Sequence, residues 1–157
     1  MGSSDRPLAA QLAAVVNHWI GGAEHEPASD SRYGDVFNPA SGEIARRVGF
    51  AGPAEVDAAV QAAANAFPAW AATPPLRRAR VMFKFKELLE RHTGELAALI
   101  TAEHGKVFTD AEGEITRGLE VVEFACGIPQ LLKGEYSEQV GTGVDMYSIR
   151  QPLGVCV

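Results

Sequence analysis

Arg117 is the charged residue whose type and position could serve chemistry. It lies in a predicted helix, two residues before Leu119 of that helix's apolar stripe, so its side chain should point away from the stripe. A guanidinium there could bind a carboxylate through two parallel hydrogen bonds. It could equally form solvated ion pairs with Glu114 and Glu120, at i−3 and i+3, each contributing only about 0.3–0.5 kcal/mol. From the spacing alone, the solvated ion pairs are the favoured interpretation.

The other residues capable of chemistry form no catalytic or metal-binding motif. The sequence contains no GxGxxG, GxxxxGK[ST], CxxC or HExxH pattern. The histidines lie in separate segments with no second His or Cys at ligand spacing, so we expect no metal site; they are His18, His25, His92 and His104. Cys126 and Cys156 both have apolar neighbours, which predicts buried, inert thiols and neither a nucleophile nor a disulfide framework.

Residues 103–106 (EHGK) form a dense polar segment. A Glu103–His104 acid–base pair is one reading. A helix end is the better one, because His104 and Lys106 would complement the negative end of the helix dipole and Gly105 would supply the turn.

Composition and charge exclude some classes of function. The chain has 157 residues, 46% of them hydrophobic, and a net charge of −6, so it can build a core and carries no basic patch for nucleic acid. No stretch has the length and apolarity of a membrane span. Residues 1–7 do not have the charged and apolar regions of a signal peptide, so we expect a cytoplasmic protein.

Apolar periodicity and turn residues predict strands followed by helices. Pro68, Gly105 and Gly134 should end helices, Thr93 and Thr109 should cap them, and residues 127–129 should kink the last one. The predicted strands are 15–20, 33–37, 43–50 and 144–150, and the predicted helices are 53–68, 76–91, 93–104 and 109–134. Residues 153–157 are typical of a buried strand that is cut off, which predicts the N-terminal part of a larger protein.

Several segments, in order, resemble the start of an aldehyde dehydrogenase. These are residues 18–22 (HWIGG), 38–43 (NPASGE), 56–70, 77–80 (RRAR) and 101–106 (TAEHGK). Two later segments, 111–120 (AEGEITRGLE) and 145–156 (DMYSIRQPLGVC), are similar to the CoA-acylating methylmalonate-semialdehyde dehydrogenase branch. The resemblance covers nearly the whole chain after about residue 15.

This resemblance implies an α/β fold. Residues 1–134 would be the N-terminal β-meander and helices of a Rossmann-like NAD-binding domain, 135–151 a strand of the oligomerisation arm, and 152–157 the start of a central sheet that is incomplete in this chain. It also implies a homo-oligomer, a tetramer or a dimer, assembled through the arm.

The chemistry implied by the resemblance is oxidation of a semialdehyde. In the family a cysteine attacks the aldehyde, hydride passes to NAD, and in this branch coenzyme A takes the acyl group while carbon dioxide is lost. The catalytic Cys, Glu and Asn and the NAD contacts would lie beyond Val157, so we expect no catalytic or cofactor-binding residue here. Only Arg117 matches a family position, an arginine that holds the substrate carboxylate.

Two alternatives remain open. The first is an aldehyde dehydrogenase of another branch, which hydrolyses its thioester without coenzyme A. The second is a short, non-catalytic assembly or binding module, although an unfinished strand would leave it an exposed edge. Sequence beyond residue 157 and a test of CoA dependence would separate the two enzyme readings.

We predict that the 157-residue chain alone reduces no NAD with any aldehyde, because it would contain neither the nucleophile nor the cofactor site. An absorbance assay for NADH on a preparation of verified 16.7 kDa mass checks this. Turnover by that preparation would contradict the prediction.

Overall fold

The computed structural model describes residues 15–156, which form short strands and five helices. The chain divides into two compact units, residues 15–66 with 99–107 and residues 67–98 with 108–156. The strands are β1 (Val15–Val16), β2 (His18–Ile20), β3 (Ala23–His25), β4 (Tyr33–Phe37), β5 (Ile44–Gly49), β6 (Tyr136–Gly141) and β7 (Val144–Tyr147). The helices are α1 (Pro53–Ala72), α2 (Pro75–Arg91), α3 (Thr93–His104), α4 (Phe108–Cys126) and α5 (Ile128–Leu131).

A small sheet of three strands organises the first unit. Its order is β1-β5-β4, with β5 antiparallel to β4 and parallel to β1. The loop predicted at residues 38–42 joins β4 to β5, and the Asn38 side-chain Oδ1 accepts the Ala40 N–H at 2.9 Å. The α/β class is therefore confirmed, and the sheets in the described part of the chain are partial.

The strand predicted at residues 15–20 has the correct position, but the structure divides it into two short strands. Asn17 separates β1 from β2, and β2 pairs with β3, a strand that was not predicted. Gly21 and Gly22 connect them with φ of 61° and 83°. Positive φ at both central residues is the type I′ geometry that matches the twist of a two-residue hairpin.

Glu55 fixes the start of α1. Its carboxylate accepts the Gly52 N–H at 2.9 Å and the Ala28 N–H at 3.3 Å, which ties the loop after β3 to the helix N-terminus. Hydrogen bonds from backbone N–H groups, first that of Glu55 itself and then that of Gly52, lower the pKa of this carboxyl. Glu55, an acid in the first turn of α1, therefore also anchors a loop.

The prediction that α1 ends at Pro68 is wrong. The helix continues to Ala72, and Thr73 closes it by donating its hydroxyl to the Ala69 carbonyl at 2.8 Å and its N–H to the Trp70 carbonyl at 3.1 Å. Proline removes one intrahelical hydrogen bond. The alanines on both sides of it are the best helix formers, and their preference offsets that loss.

Helix α4 packs against α2 in the second unit. Ala79 on α2 and Ala111 on α4 are only 2% and 0% exposed to solvent, and Ile115 and Cys126 are also buried. Leu119, which lies between Ile115 and Cys126 along α4, is half-buried. The inner stripe predicted for this helix is therefore confirmed.

Both predicted threonine caps are wrong. Helix α4 begins at Phe108, so Thr109 lies inside it. Helix α3 begins at Thr93 itself, whose hydroxyl donates to the carbonyls of Leu89 and Glu90 at 3.0 and 3.1 Å in the preceding helix. The hydroxyl therefore joins the end of one helix to the start of the next.

The last predicted helix, 109–134, is interrupted instead of kinked. Helix α4 ends at Cys126, and Gly127 donates its N–H to the Phe124 carbonyl at 3.0 Å before α5 begins. Pro129 is the second residue of α5, a position that needs no N–H partner. Two separate helices are the result.

The C-terminal segment departs furthest from prediction. The strand predicted at 144–150 is β7, which ends at Tyr147 and pairs antiparallel with β6. Residues 153–156 form no strand, because no strand in the described range lies beside them; Leu153 is 97% exposed and Cys156 is exposed, not buried. Val157, the last residue of that prediction, lies outside the described residues.

Many large apolar side chains remain exposed in both units. Val56 and Val60 of α1 are examples, and no residue of α1 is buried. Exposed apolar surface on this scale is typical of faces that contact other protein surface.

We predict that Ala111→Leu lowers the free energy of unfolding by about 1–3 kcal/mol, because a larger side chain must displace packed neighbours. Urea denaturation measures the effect. Glu120→Leu, at an exposed position of the same helix, is the control and should change stability by less than about 0.5 kcal/mol. Equal effects would contradict the close packing of Ala111.

Candidate functional site

Helix α4 determines where Arg117 faces. Ile115 is buried, and a residue two positions further along a helix lies about 200° around the axis. Arg117 is accordingly exposed, on the side opposite the buried stripe, as predicted. Acidic Asp110 in the first turn complements the positive end of the helix dipole.

Arg117 has no protein partner within residues 15–156. No hydrogen bond or ion pair joins its guanidinium to any residue in that range, so the ion pairs with Glu114 and Glu120 that the spacing allows are not formed. Glu114 makes an interaction of its own. The guanidinium is therefore available to an external anion.

We call the exposed side of α4 around this residue the outer face, comprising Gly113, Arg117, Val121 and Phe124. These residues succeed one another at spacings of four, four and three, which places them on one side of a helix. Val121 and Phe124 are 69% and 66% exposed. The outer face thus combines one cation with apolar side chains, a composition that suits a small carboxylate with a carbon skeleton.

A cavity of about 330 Å³ in the first unit is a second candidate. Its charged groups, Arg46 and Glu103, already form an ion pair at 2.8 Å. Thr101 Oγ1 in its wall is buried without a hydrogen-bond partner. Because its charges neutralise each other, the cavity offers no cation to a carboxylate. The pairing of Glu103 with Arg46 also favours the structural interpretation of residues 103–106, as does Gly105, whose φ is +81° at the end of α3.

No nucleophile or metal site emerges from the described residues. Within that range no group of three or more His, Cys, Asp or Glu side chains could hold a metal ion. Cys126 is buried, as predicted, and faces the packed side of α4, while Cys156 is exposed in an irregular segment. No helix in the described range is long and apolar enough to cross a membrane.

The hairpin of β6 and β7 contains the best-defined polar cluster. Asp145 accepts the Tyr136 hydroxyl at 2.6 Å and the Gln139 N–H at 2.9 Å. These two hydrogen bonds lower the pKa of Asp145, and the one from Tyr136 has the larger effect. The hydrogen bond between Tyr136 and Asp145 also raises the pKa of Tyr136. Gln139 has a φ of +52°, so Asp145 stabilises a backbone conformation that a residue with a side chain rarely adopts.

Comparison with known proteins decides the family. Residues 26–157 match the aldehyde dehydrogenase family. The chain belongs to that family. Among curated relatives, it is 46% identical over 141 residues to a malonate-semialdehyde dehydrogenase of Pseudomonas aeruginosa, covering 90% of this chain and 28% of the relative. It is 47% identical over 154 residues to a mitochondrial, acylating methylmalonate-semialdehyde dehydrogenase of Arabidopsis thaliana, covering 98% and 25%.

Solved structures of aldehyde dehydrogenases agree with this assignment. A methylmalonate-semialdehyde dehydrogenase from Sinorhizobium meliloti 1021, in complex with NAD, superposes with a TM-score of 0.86 at 49% identity, over 91% of this chain and 29% of that one. The enzyme from Oceanimonas doudoroffii gives 0.84 at 51% identity, over 88% and 28%. The chain thus spans between a quarter and a third of the length of these relatives.

Two features, the ion pair in the cavity and strand β6 of the hairpin, were not predicted from the sequence. The Arg46–Glu103 pair joins residues 57 positions apart, and periodicity carries no signal for such a contact. Strand β6 contains polar residues in most positions, so its pattern did not distinguish it from a loop.

We predict that Asp145→Asn loosens the hairpin at neutral pH, because the carboxylate is the better acceptor for both bonds. Since the pKa of Asp145 is lowered from 3.8 by folding, its stabilisation is fully present above that value and is lost as pH falls through the lower folded pKa. Hydrogen exchange of the Gln139 backbone amide measures how far the hairpin has loosened. Glu138→Gln is the control, and equal protection in Asp145→Asn and the wild type would contradict the prediction.

Proposed function

We propose that this chain is the N-terminal part of an NAD-dependent aldehyde dehydrogenase that oxidises malonate or methylmalonate semialdehyde to an acyl-CoA with loss of carbon dioxide. The observation that carries the proposal is an unpaired guanidinium on the outer face of α4, in a chain 46–51% identical to semialdehyde dehydrogenases. A semialdehyde of this class has an aldehyde at one end and a carboxylate at the other, and Arg117 is suited to the second.

In this proposal Arg117 is a substrate-binding residue. Its planar guanidinium donates two parallel N–H bonds to the carboxylate, which fixes the direction in which the aldehyde end points. Orienting a small substrate in this way lowers the entropic part of the barrier. The apolar neighbours Val121 and Phe124 lie on the same side of α4 and offer contact to the carbon skeleton of the substrate.

The remaining machinery is proposed to lie outside these residues. Neither cysteine is placed to act as the nucleophile, since Cys126 is buried and Cys156 is exposed in an irregular segment. NAD would supply the hydride acceptor. The catalytic Cys, Glu and Asn would follow Val157 in the sequence.

Coenzyme A is proposed as the acyl acceptor because two curated relatives, from Arabidopsis thaliana and Homo sapiens, are named as acylating enzymes. The alternative within the family is hydrolysis by water. An assay of NADH formation with and without coenzyme A separates the two: the proposal requires CoA-dependent turnover with an acyl-CoA product, and a free acid formed at the same rate without CoA would favour hydrolysis.

The β6–β7 hairpin is proposed to be the arm through which a dimer or tetramer assembles. Its ten strand residues are all exposed, including the aromatic rings of Tyr136 and Tyr147. A two-stranded hairpin is marginal by itself and gains stability when another surface covers it. This fits the proposed division into 1–134, 135–151 and 152–157, with both strands of the hairpin in the middle segment. A non-catalytic assembly module would use the same hairpin, and it differs from the enzyme by lacking turnover in the complete protein.

A cytoplasmic site of action completes the proposal. Both cysteines of the chain are free thiols, which a reducing compartment maintains.

We predict that Arg117→Leu in the complete enzyme lowers kcat/KM for methylmalonate semialdehyde by about 10- to 100-fold, the cost of losing a charge-assisted pair. Use of propanal, which has no carboxylate, should change by less than about threefold. Steady-state kinetics on both substrates measure this. Arg80→Leu, which removes an exposed arginine from α2, is the matched control. Equal losses for the two substrates would return Arg117 to a structural role.

A further inference from the structure

The two chain segments at the base of the β6–β7 hairpin cross at close range. Glu135 directly precedes β6 and Ser148 directly follows β7. The Ser148 N–H donates to the Glu135 carbonyl at 2.8 Å, and the Ser148 hydroxyl oxygen accepts the Glu135 N–H at 2.9 Å. We call Gly134, Glu135 and Ser148 the base crossing.

Gly134 makes this close approach possible. Its φ is not positive, so its backbone conformation does not require glycine, but the space around it does. A Cβ at this position would lie 1.8 Å from the carbonyl oxygen of Ser148 and 2.9 Å from its carbonyl carbon. These are backbone atoms, which cannot rotate aside as the tip of a side chain can. A side chain at position 134 must therefore push the two segments apart.

The base crossing adjoins the two aromatic rings that the hairpin exposes. Tyr136 follows Glu135, Tyr147 precedes Ser148, and the two tyrosines are cross-strand partners. Their side chains are 64% and 72% exposed. Tyrosine is enriched among the residues that dominate the binding energy of protein interfaces. Because Ser148 is bonded directly to Tyr147, moving it also moves one ring relative to the other.

A separate set of bonds holds the rest of the hairpin. Asp145 accepts the Tyr136 hydroxyl and the Gln139 N–H, and neither bond involves the base crossing. The strands can therefore stay paired when the base crossing is disturbed. What the base crossing controls is how the paired strands leave the segments that precede and follow them.

We infer that Gly134 and Ser148 are positioning residues for assembly, which set the Tyr136–Tyr147 pair in the orientation that a second copy of this chain contacts. The inference rests on the proposed function, since it takes the hairpin as the arm through which subunits assemble. A binding surface needs its groups held to within about 0.5 Å, so a displaced base crossing weakens the contact without unpairing the strands.

The test measures the mass of the complete enzyme by light scattering over a dilution series, which gives the dissociation constant of the assembly. For Gly134→Ala we expect this constant to rise by about tenfold or more. Ser148→Ala, which removes one hydrogen bond, should raise it by about two- to tenfold and keeps the inference testable if the glycine variant does not fold. Ser148→Thr retains the hydroxyl and should restore assembly. Gly141→Ala is the matched control, because its Cβ meets Val144 at an ordinary 3.8 Å.

Hydrogen exchange of the Gln139 backbone amide, measured in parallel, should stay at the wild-type rate in Ser148→Ala. A faster exchange there would show that the base crossing holds the strands together, and would overturn the positioning role. Unchanged dissociation constants in Gly134→Ala and Ser148→Ala, or an equal rise in Gly141→Ala, would also overturn it.

Tyr147→Asp tests the assumption beneath the inference, because it places a charge on the exposed aromatic pair. An unchanged assembly in this variant refutes the hairpin as the arm. Dissociation of Tyr147→Asp, with unchanged assembly in Gly134→Ala and Ser148→Ala, refutes the role of the base crossing alone.

Discussion

The packing of α4 against α2 is the constraint on which the candidate site depends. Ala111 and Ile115 can be buried only if one side of α4 faces its neighbour, and a helix turned in this way must expose the residues about 200° further around. Arg117 is one of them. The position of the guanidinium is therefore a consequence of burying small and apolar side chains elsewhere on the same helix.

Several other charged groups in the described residues serve local structure. Glu55 holds a loop to the start of α1, Arg46 and Glu103 join β5 to the end of α3, and Asp145 holds the hairpin. Exposed pairs of this kind each contribute little free energy, but they select one conformation among several of similar energy. Arg117 forms no such pair within residues 15–156, and the same is true of Arg77, Arg80 and Arg150 in that range.

The periodicity of apolar residues predicted which side chains of a single helix are buried and which are exposed. It predicted contacts between distant segments less well. The stripe of α4 and the side on which Arg117 lies followed from residues three and four apart. The end of α1 was misplaced because the preference of neighbouring alanines outweighed Pro68. The cap at Thr93 failed because its hydroxyl bonds to the helix before it, and the cap at Thr109 failed because α4 begins one residue earlier. Whether Arg117 would pair with Glu114 or Glu120 depended on side-chain geometry, which no spacing specifies.

The irregularity in the β6–β7 hairpin has a consequence for how its length can vary. Ser137 pairs with Met146 and Gly141 with Val144, so three residues on β6 oppose only Asp145 on β7. Strand β6 therefore has two more residues than β7 in this stretch. Because side chains on a strand alternate between faces with a period of two, an even number of extra residues does not change which face the following residues occupy. Residues before and after the irregularity therefore keep their faces. Related chains could gain or lose a pair of residues here and present the same surface, whereas a change of one residue would turn half of the hairpin over.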